Sequence, residues 1–562
     1  MSANLPRQSG GQLVVAALKA HGVEMAFSVA GESYLEVLDA LYDAPEIRLI
    51  TCRQEGGAAF MAEAYGKLTG KPGVLLVTRG PGACNASIGV HTAHQDSTPM
   101  VVLVGQVARH QIDREAFQEV DFRKMYAPLA KWVTQIDMAE RVPELMNQAF
   151  QVATSGRPGP VVVALPEDML RDRAAAAVVG PYRAVRAHPG AADLAEMRRL
   201  LAQAERPIML VGGSGWSDSA CADIARFALA NDIPVCCSFR RQDIVDNRLP
   251  VFVGDLGTGA APSLVARIET SDLVIAVGAR IGEITSQGYT LLGIPDPGKT
   301  LIHVHAAAEE LGRVFRPTLA LQSGMPEFAA AAIALEPIGA LRWREWRAEA
   351  RAEYETGLAP TKLAEAPALD LGRIMTWLRE RLPDDAIVTS DAGNFSSWPN
   401  RFLQYRRPGR QLGPTSGAMG YGVPAAVAAK LVHPGRIVVG FAGDGGFMMT
   451  GQELATAGAE GAGPIILLFN NAMYGTIRMH QERCFPGRVV GTALNNPDFA
   501  AVIRAYGGFG AAVARTEEFA PVFEEAVASG KPSVIELRMD PEMISTRTTL
   551  SALRRQAEMA KP

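Results

Sequence analysis

The chain of 562 residues has no long hydrophobic run: its longest apolar stretches, such as Ile437 to Ala442 and Ile465 to Phe469, fall far short of the roughly 18 residues that span a bilayer. No membrane span is encoded. Cysteine is scarce, six in all (Cys52, Cys84, Cys221, Cys236, Cys237, Cys484), and no two are spaced as CxxC, which argues against a disulfide framework or a zinc site. Excess charge of either sign is missing too: Lys and Arg number 55 against 59 Asp and Glu, for a net charge of -4. Such a balance gives no long-range field to recruit nucleic acid or an anionic membrane, so a small-molecule partner is expected. Residues Met1 to Gly11 carry neither a basic start nor an apolar block, so no secretory signal is readable and a cytoplasmic protein with free thiols is expected.

What the chain does have is apolar material for several cores, 48% hydrophobic residues with 55 glycines, and length for three or four domains at roughly 100 to 200 residues each. Short apolar runs that end in glycine or polar loops recur throughout: Val74 to Thr78, Val101 to Gly105, Val161 to Ala164, Ile208 to Val211, Leu273 to Gly278, Leu301 to Val304, Ile387 to Ser390, Ile437 to Ala442, Ile465 to Asn470 and Ser533 to Leu537. They read as strands buried on both faces. Stretches of helical spacing lie between them, among them Gly57 to Thr69, Asp218 to Ala230 and Gly446 to Ala459. The alternation predicts an α/β protein of doubly wound parallel sheets. Arg171 to Ala192 and Glu336 to Leu369, the latter charged and helical in flavour, break the pattern and read as linkers, which leaves three α/β units near 1–180, 190–335 and 368–540 and a polar tail.

One stretch is chemically informative. A strand ends in Gly443-Asp444-Gly445-Gly446, a helical run follows, and a second strand ends in Asn470-Asn471. In a parallel sheet both strand ends lie on the carboxyl edge, where open α/β folds bind ligands. The Asp444 carboxylate and Asn471 amide oxygen are hard ligands suited to Mg²⁺, which keeps its other positions for water and substrate phosphates. Gly443, Gly445 and Gly446 let backbone N–H groups approach a phosphate at a helix start. Gly-Asp-Gly by itself is common turn punctuation; the second strand and its asparagines make the signal specific.

Gly443-Asp444-Gly445 with Asn470-Asn471 resembles the cofactor signature of thiamine diphosphate enzymes, and the similarity extends over nearly the whole chain. Within that family it is most similar to the acetolactate (acetohydroxyacid) synthase branch, through Arg53-Gln-Glu-Gly-Gly-Ala-Ala, Gly80-Pro-Gly-Ala-Cys-Asn85, Ala116-Phe-Gln-Glu119 and Gly417-Ala-Met-Gly-Tyr-Gly-Val-Pro424. The resemblance implies a pyrimidine-binding domain (1–180), a middle domain (190–335) and a domain for the diphosphate and Mg²⁺ (368–540). It makes Glu55 the catalytic carboxylate that hydrogen-bonds the aminopyrimidine ring and promotes loss of the thiazolium C2 proton, a role that needs a partly desolvated group. Taken alone, Glu55 is an ordinary first-turn carboxylate of a helix.

Other roles carry over position by position. Met419 matches the residue that props the cofactor into its bent form, and Gly417 the carbonyl offered to its amino group. Met473 matches the backbone oxygen that completes the metal shell begun by Asp444 and Asn471. By the same resemblance Asn394 and Phe395 would sit in the diphosphate loop, Asn85, Gln118 and Phe117 would line the active site, with Gln118 a second catalytic candidate, and Ile477 and His480 would face the substrate pocket. Apart from the family, Met419, Met473 and Phe117 read as core and the amides as turn residues. His91 and His94 share a helical spacing but match no histidine metal site of the relatives.

The chain departs from its relatives in three places. His480 lies where biosynthetic acetohydroxyacid synthases carry a tryptophan that selects the second keto acid. Val29-Ala-Gly-Glu-Ser replaces the usual Tyr-Pro-Gly-Gly. Gly278-Ala-Arg280-Ile-Gly-Glu-Ile keeps one arginine but lacks the acidic pair and second arginine of flavin-binding relatives, which leaves FAD open. The expected activity is decarboxylation of a 2-keto acid such as pyruvate with transfer to a carbonyl acceptor, in a homodimer or dimer of dimers. The alternatives are a benzaldehyde lyase-like enzyme or simple 2-keto acid decarboxylase, and a dinucleotide-dependent oxidoreductase prompted by Val211-Gly-Gly-Ser-Gly-Trp, a run without GxGxxG spacing.

Overall fold

The computed structural model describes residues 5–339, 341–360 and 367–560. Residues 1–4 of the expected first domain, 340 and 361–366 of the second expected linker, and 561–562 of the tail lie outside the described residues. Three six-stranded sheets are present, every neighbouring pair parallel, as the alternation of apolar runs and helical stretches predicts. Strands such as Gly73–Val77, Met100–Gln106 and Leu273–Val277 are buried along their whole length. Parallel strands need crossovers, and crossover helices on both faces remove the strands from water.

The chain divides into two compact units: that running through Val185 together with Val423–Pro434 and Thr450–Gly463, and that formed by Arg186–Gly422, Gly435–Met449 and Pro464 onward. The first holds the sheet ordered Arg48–Thr51, Met25–Ser28, Gly73–Val77, Met100–Gln106, Pro160–Pro166, Trp132–Gln135. The second holds two. Its middle sheet runs Phe252–Leu256, Val235–Ser238, Pro207–Val211, Leu273–Val277, Thr300–His305, Leu319–Gln322. Its other sheet runs Gln411–Leu412, Ile387–Ser390, Val438–Gly443, Ile465–Asn470, Ser533–Arg538, Phe509–Val513.

Several elements differ from expectation for readable reasons. The stretch Gly446 to Ala459 is two helices, Asp444–Thr450 and Glu453–Ala459. At the break Leu454 and Ala455 donate to the carbonyls of Gly451 and Gln452, three residues back, which is the tighter turn of a helix start. The charged linker, helical in flavour by sequence, does contain the helix Arg344–Gly357; unforeseen is its anchoring on the middle unit by Trp343, fully buried with its indole N–H on Asn231 O at 3.0 Å, and by Trp346 on Pro207 O at 3.1 Å. The polar tail contains the helix Leu550–Met559. Among the described residues no helix is long and apolar enough to cross a membrane.

Candidate active site

In the first unit Glu55 opens the helix Glu55–Thr69, whose N-cap Gln54 is extended and accepts from Gly57 N at 2.9 Å. The neighbouring helix Gly80–Asp96, with Pro81 in its first turn, carries Asn85. Small residues let the two helices nearly touch: a Cβ on Gly89 would fall 2.3 Å from that of Ala59. The close approach lets Asn85 Nδ2 donate to Glu55 Oε2 at 2.9 Å. Glu55 is half-buried. Gln118 reaches the same helix start from the other side, its carbonyl oxygen 2.7 Å from where a Cβ on Gly80 would stand. Its backbone is left-handed (φ 65°) and its Oε1 accepts from Arg79 Nε at 3.4 Å. Phe117 beside it is 73% exposed. Glu55, Asn85 and Gln118 are thus brought together near the start of one helix, with Phe117 adjoining Gln118 in sequence, and His91 and His94 lie further along that helix.

Arg79, the residue just before this helix, was not anticipated. Its buried guanidinium bonds Glu32 at 2.9 Å and Glu167 at 3.0 Å as well as Gln118. Glu32 belongs to the atypical Val29-Ala-Gly-Glu-Ser stretch, so that departure is tied to the loop carrying Gln118.

In the second unit Asp444 begins a helix at the end of Val438–Gly443, and the next strand, Ile465–Asn470, pairs with it at Gly443 and Phe469. Asp444 is buried. Its Oδ1 accepts from Gly445 N at 2.9 Å and its Oδ2 from Asn496 Nδ2 at 2.8 Å. Burial pushes its carboxyl above the usual range, opposed by those donors. Asn470 Oδ1 accepts from Ala472 N at 3.1 Å, and Ala472 turns left-handed (φ 54°). Asn471 Oδ1 accepts from Met473 N at 3.3 Å. Tyr474 N on Thr492 O and Leu494 N on Ala472 O, each at 2.9 Å, pin this turn.

The remaining expected residues gather at the same sheet edge. Asn394 Oδ1 accepts from Thr476 Oγ1 at 3.0 Å, and the Phe395 ring stacks on Phe469 with centroids 5.2 Å apart. Ile477 and His480, three residues apart on Gly475–Cys484, are both exposed. Gly417 is left-handed (φ 69°), and Met419 is half-buried just before Gly420.

Sequence reasoning passed over the residue that joins these loops. Asp391, fully buried, accepts from Ala392 N at 2.7 Å and from Gly420 N at 2.8 and 2.9 Å. A Cβ on Gly446 would stand 2.3 Å from its Oδ2, so glycine is required there. One carboxylate therefore ties the start of the Asn394 loop to the Met419 loop and packs closely against the helix start at Gly446. Burial pushes it up to about 6. Its signal was a lone acid at a buried strand end. Asn496, in Asn495-Asn496-Pro497, carried only turn chemistry.

Residues 8–125, 194–332 and 391–537 match, in turn, the N-terminal TPP binding domain, the central domain and the C-terminal TPP binding domain of thiamine pyrophosphate enzymes. The chain is 32% identical over 539 residues, 95% of its length and 96% of the relative's, to the acetolactate synthase isozyme 2 large subunit of Escherichia coli K12. It is 29% identical to the probable acetolactate synthase large subunit of Methanocaldococcus jannaschii, covering 95% of this chain and 92% of that one. It is 31% identical to the acetolactate synthase large subunit of Parasynechococcus marenigrum, covering 96% and 89%.

The chain belongs to the thiamine diphosphate enzyme family.

A thiamine diphosphate enzyme needs a cation site for the diphosphate, and the residues fit one. Among the described residues no three His, Cys, Asp or Glu cluster as a metal site. Asp444 with amide and carbonyl oxygens of Asn471 and Met473 is instead a sparse hard-oxygen set, of the kind that suits Mg²⁺ shared with phosphates. The middle sheet reads differently. Its strand order reverses between Pro207–Val211 and Leu273–Val277, the usual place for a dinucleotide. There Trp216 Nε1 donates to Gly212 O at 2.8 Å, and a Cβ on Gly278 would stand 2.7 Å from Met325 Sδ. Trp216 and Met325 thus pack close to the glycines at that point.

Proposed function

We propose that the chain is a thiamine diphosphate- and Mg²⁺-dependent carboligase that decarboxylates a 2-keto acid such as pyruvate and joins the two-carbon unit to a second carbonyl, giving an acetolactate-type product. The observation that carries this reading is the oxygen set at the ends of two adjacent strands, Asp444 and Asn471, in a chain whose full-length relatives are acetolactate synthases. When bound, thiamine diphosphate supplies the electron sink that decarboxylation needs. The chain's own groups do the rest. Asp444, Asn471 and the Met473 carbonyl would hold the cation, while Gly443, Gly445, Gly446, Asn394 and Phe395 would hold the diphosphate. Gly417 and Met419 would orient the cofactor rings.

Glu55 would exchange a proton with the pyrimidine through its carboxylate, one oxygen of which Asn85 fixes. Gln118 would orient the substrate carboxylate, and Phe117, Ile477 and His480 would exclude water from the acceptor. Boundaries of 1–180, 190–335 and 368–540 define the three domains. A homodimer or dimer of dimers would combine the Glu55 half-site of one chain with the Asp444 half-site of another. The six free thiols support a reducing, cytoplasmic setting.

Incubation with thiamine diphosphate, Mg²⁺ and a panel of 2-keto acids and aldehydes, with products identified by mass spectrometry, tests the assignment. Acetolactate from pyruvate supports it. Acetaldehyde alone, or turnover restricted to aromatic aldehydes, favours the decarboxylase or lyase instead.

A further inference from the structure

Glu453, the first residue of the helix Glu453–Ala459, has a fully buried side chain. Its Oε1 accepts from Arg53 N at 3.1 Å and Gln54 N at 2.9 Å. Its Oε2 accepts from Arg53 N at 3.2 Å and Thr456 Oγ1 at 2.7 Å. Those backbone donors belong to the two residues immediately before Glu55, where the helix has no backbone acceptor of its own to offer them. At the far end of the same segment Glu460 pairs with Arg48 at 2.6 Å, so the strand and turn leading to Glu55 are tied twice. Gly57 completes the fit: a Cβ there would lie 2.6 Å from Glu453 Oε1.

We propose that Glu453 is a positioning residue for Glu55, fixing the backbone from which that carboxylate is projected toward Asn85. The inference rests on the reading of Glu55 as the proton-exchanging group. Asn85 restrains one carboxylate oxygen but not the main chain behind it. Proton exchange requires hydrogen-bond reach, and a displacement of about 1 Å can cost roughly 100-fold in rate. Two carboxylate oxygens that take three backbone contacts and a hydroxyl in a site sealed from water give the turn a single place to stand. In sequence Glu453 follows Asp444 by only nine residues, so one short stretch supplies both the expected metal ligand and the prop beneath Glu55.

The test compares E453A, E453Q, G57A and E55Q by two measurements. The first is backbone amide exchange across residues 53–57 in enzyme free of cofactor. The second is the rate at which bound thiamine diphosphate exchanges its C2 proton for deuterium at saturation. In E453A amide exchange should quicken by at least about tenfold, and C2 exchange should slow by about 100-fold with cofactor affinity changed less than about threefold. E453Q should restore most of both, because its amide oxygen accepts from Arg53 and Gln54 while its NH₂ donates to Thr456. G57A keeps the carboxylate but displaces it, should slow C2 exchange, and decides the matter if E453A does not fold. Wild-type C2 exchange in folded E453A, or in G57A when E453A is unfolded, overturns the proposal. Wild-type C2 exchange in E55Q would overturn the reading of Glu55 instead.

Discussion

Asn496 Nδ2 donates to Asp444 Oδ2 at 2.8 Å, and the same nitrogen lies 2.9 Å from Asn470 Oδ1. A side chain 52 residues further along thereby bridges the two strand ends. Its bond to Asp444 favours the ionised carboxylate, against the burial that pushes the group toward its protonated form. In N496A that support is lost, so Mg²⁺ binding in the presence of thiamine diphosphate should weaken by about tenfold, and the loss should shrink as the pH is raised and ionisation of Asp444 is favoured. Calorimetric titration across a pH series checks this; a loss that does not vary with pH would assign Asn496 a purely steric role.

Asp444 is the one carboxylate among the proposed metal ligands, so cofactor binding should follow the divalent ion. Thiamine diphosphate with Mg²⁺ at about 100 times its dissociation constant should raise stability by about 2.7 kcal/mol. EDTA should abolish the accompanying rise in Tm, and D444A should show none with or without the metal. A full thermal shift in D444A would place the diphosphate elsewhere.

Asp391 makes a pH prediction with a definite sign. Its folded pKa, about 6, lies above the ordinary value of 3.8. The folded state therefore holds more protons between those values, and the contribution is full below pH 3.8 and lost as pH rises through about 6. The shift corresponds to about 3 kcal/mol. D391N, which cannot titrate, should lack this component, so the difference in Tm between wild type and D391N should change monotonically from pH 4 to pH 7. In D391A the loops of Met419 and Asn394 lose their common anchor, and affinity for thiamine diphosphate should fall by about tenfold. A constant Tm difference across that range would mean that Asp391 is already ionised in the fold.

The three sheets were legible because a strand covered on both faces must be apolar throughout, and Val101 to Gly105 or Ile465 to Asn470 can hardly be read otherwise. Edge and short strands such as Trp132–Gln135 and Val235–Ser238 escaped because polar and small residues interrupt their pattern. The candidate site could be proposed from sequence where chemistry repeats in a local motif, at Asp444, Asn471 and Glu55. It was hidden where one side chain serves a group distant in sequence: Asp391 binds the backbone of Gly420, Asn496 the side chain of Asp444, and Glu453 the backbone of Arg53 across 400 residues. Spacing holds no record of such partners. The helical character of Glu336 to Leu369 was legible too, while its charges masked the anchoring by Trp343 and Trp346.

Glu482 supplies a further pH prediction, on the helix that carries Ile477 and His480. Fully buried, it accepts from Arg554 Nη2 and Arg478 Nη2 at 2.6 Å each, from Arg554 Nε at 2.9 Å and from Gly487 N at 3.0 Å. The bond from Arg554 leads in pulling its pKa down to about 2 from the ordinary 4.5. A depressed folded pKa contributes stability that is present above pH 4.5 and lost as the pH falls toward 2. The clasp joins Gly475–Cys484 to the C-terminal helix Leu550–Met559, so its rupture should release both before the sheet melts. E482Q removes the charge and leaves two guanidinium groups facing a neutral amide, which should cost a few kcal/mol at pH 7 and little at pH 2. Amide exchange in residues 475–484 should rise in E482Q at neutral pH while exchange in Ile465–Asn470 stays slow. With Ile477 and His480 then loosely held, KM for the acceptor should rise more than kcat falls. Unchanged exchange in that helix would show that apolar packing, through Ile544, Leu550 and Leu553 against Met473 and Met479, holds it without the ion pairs.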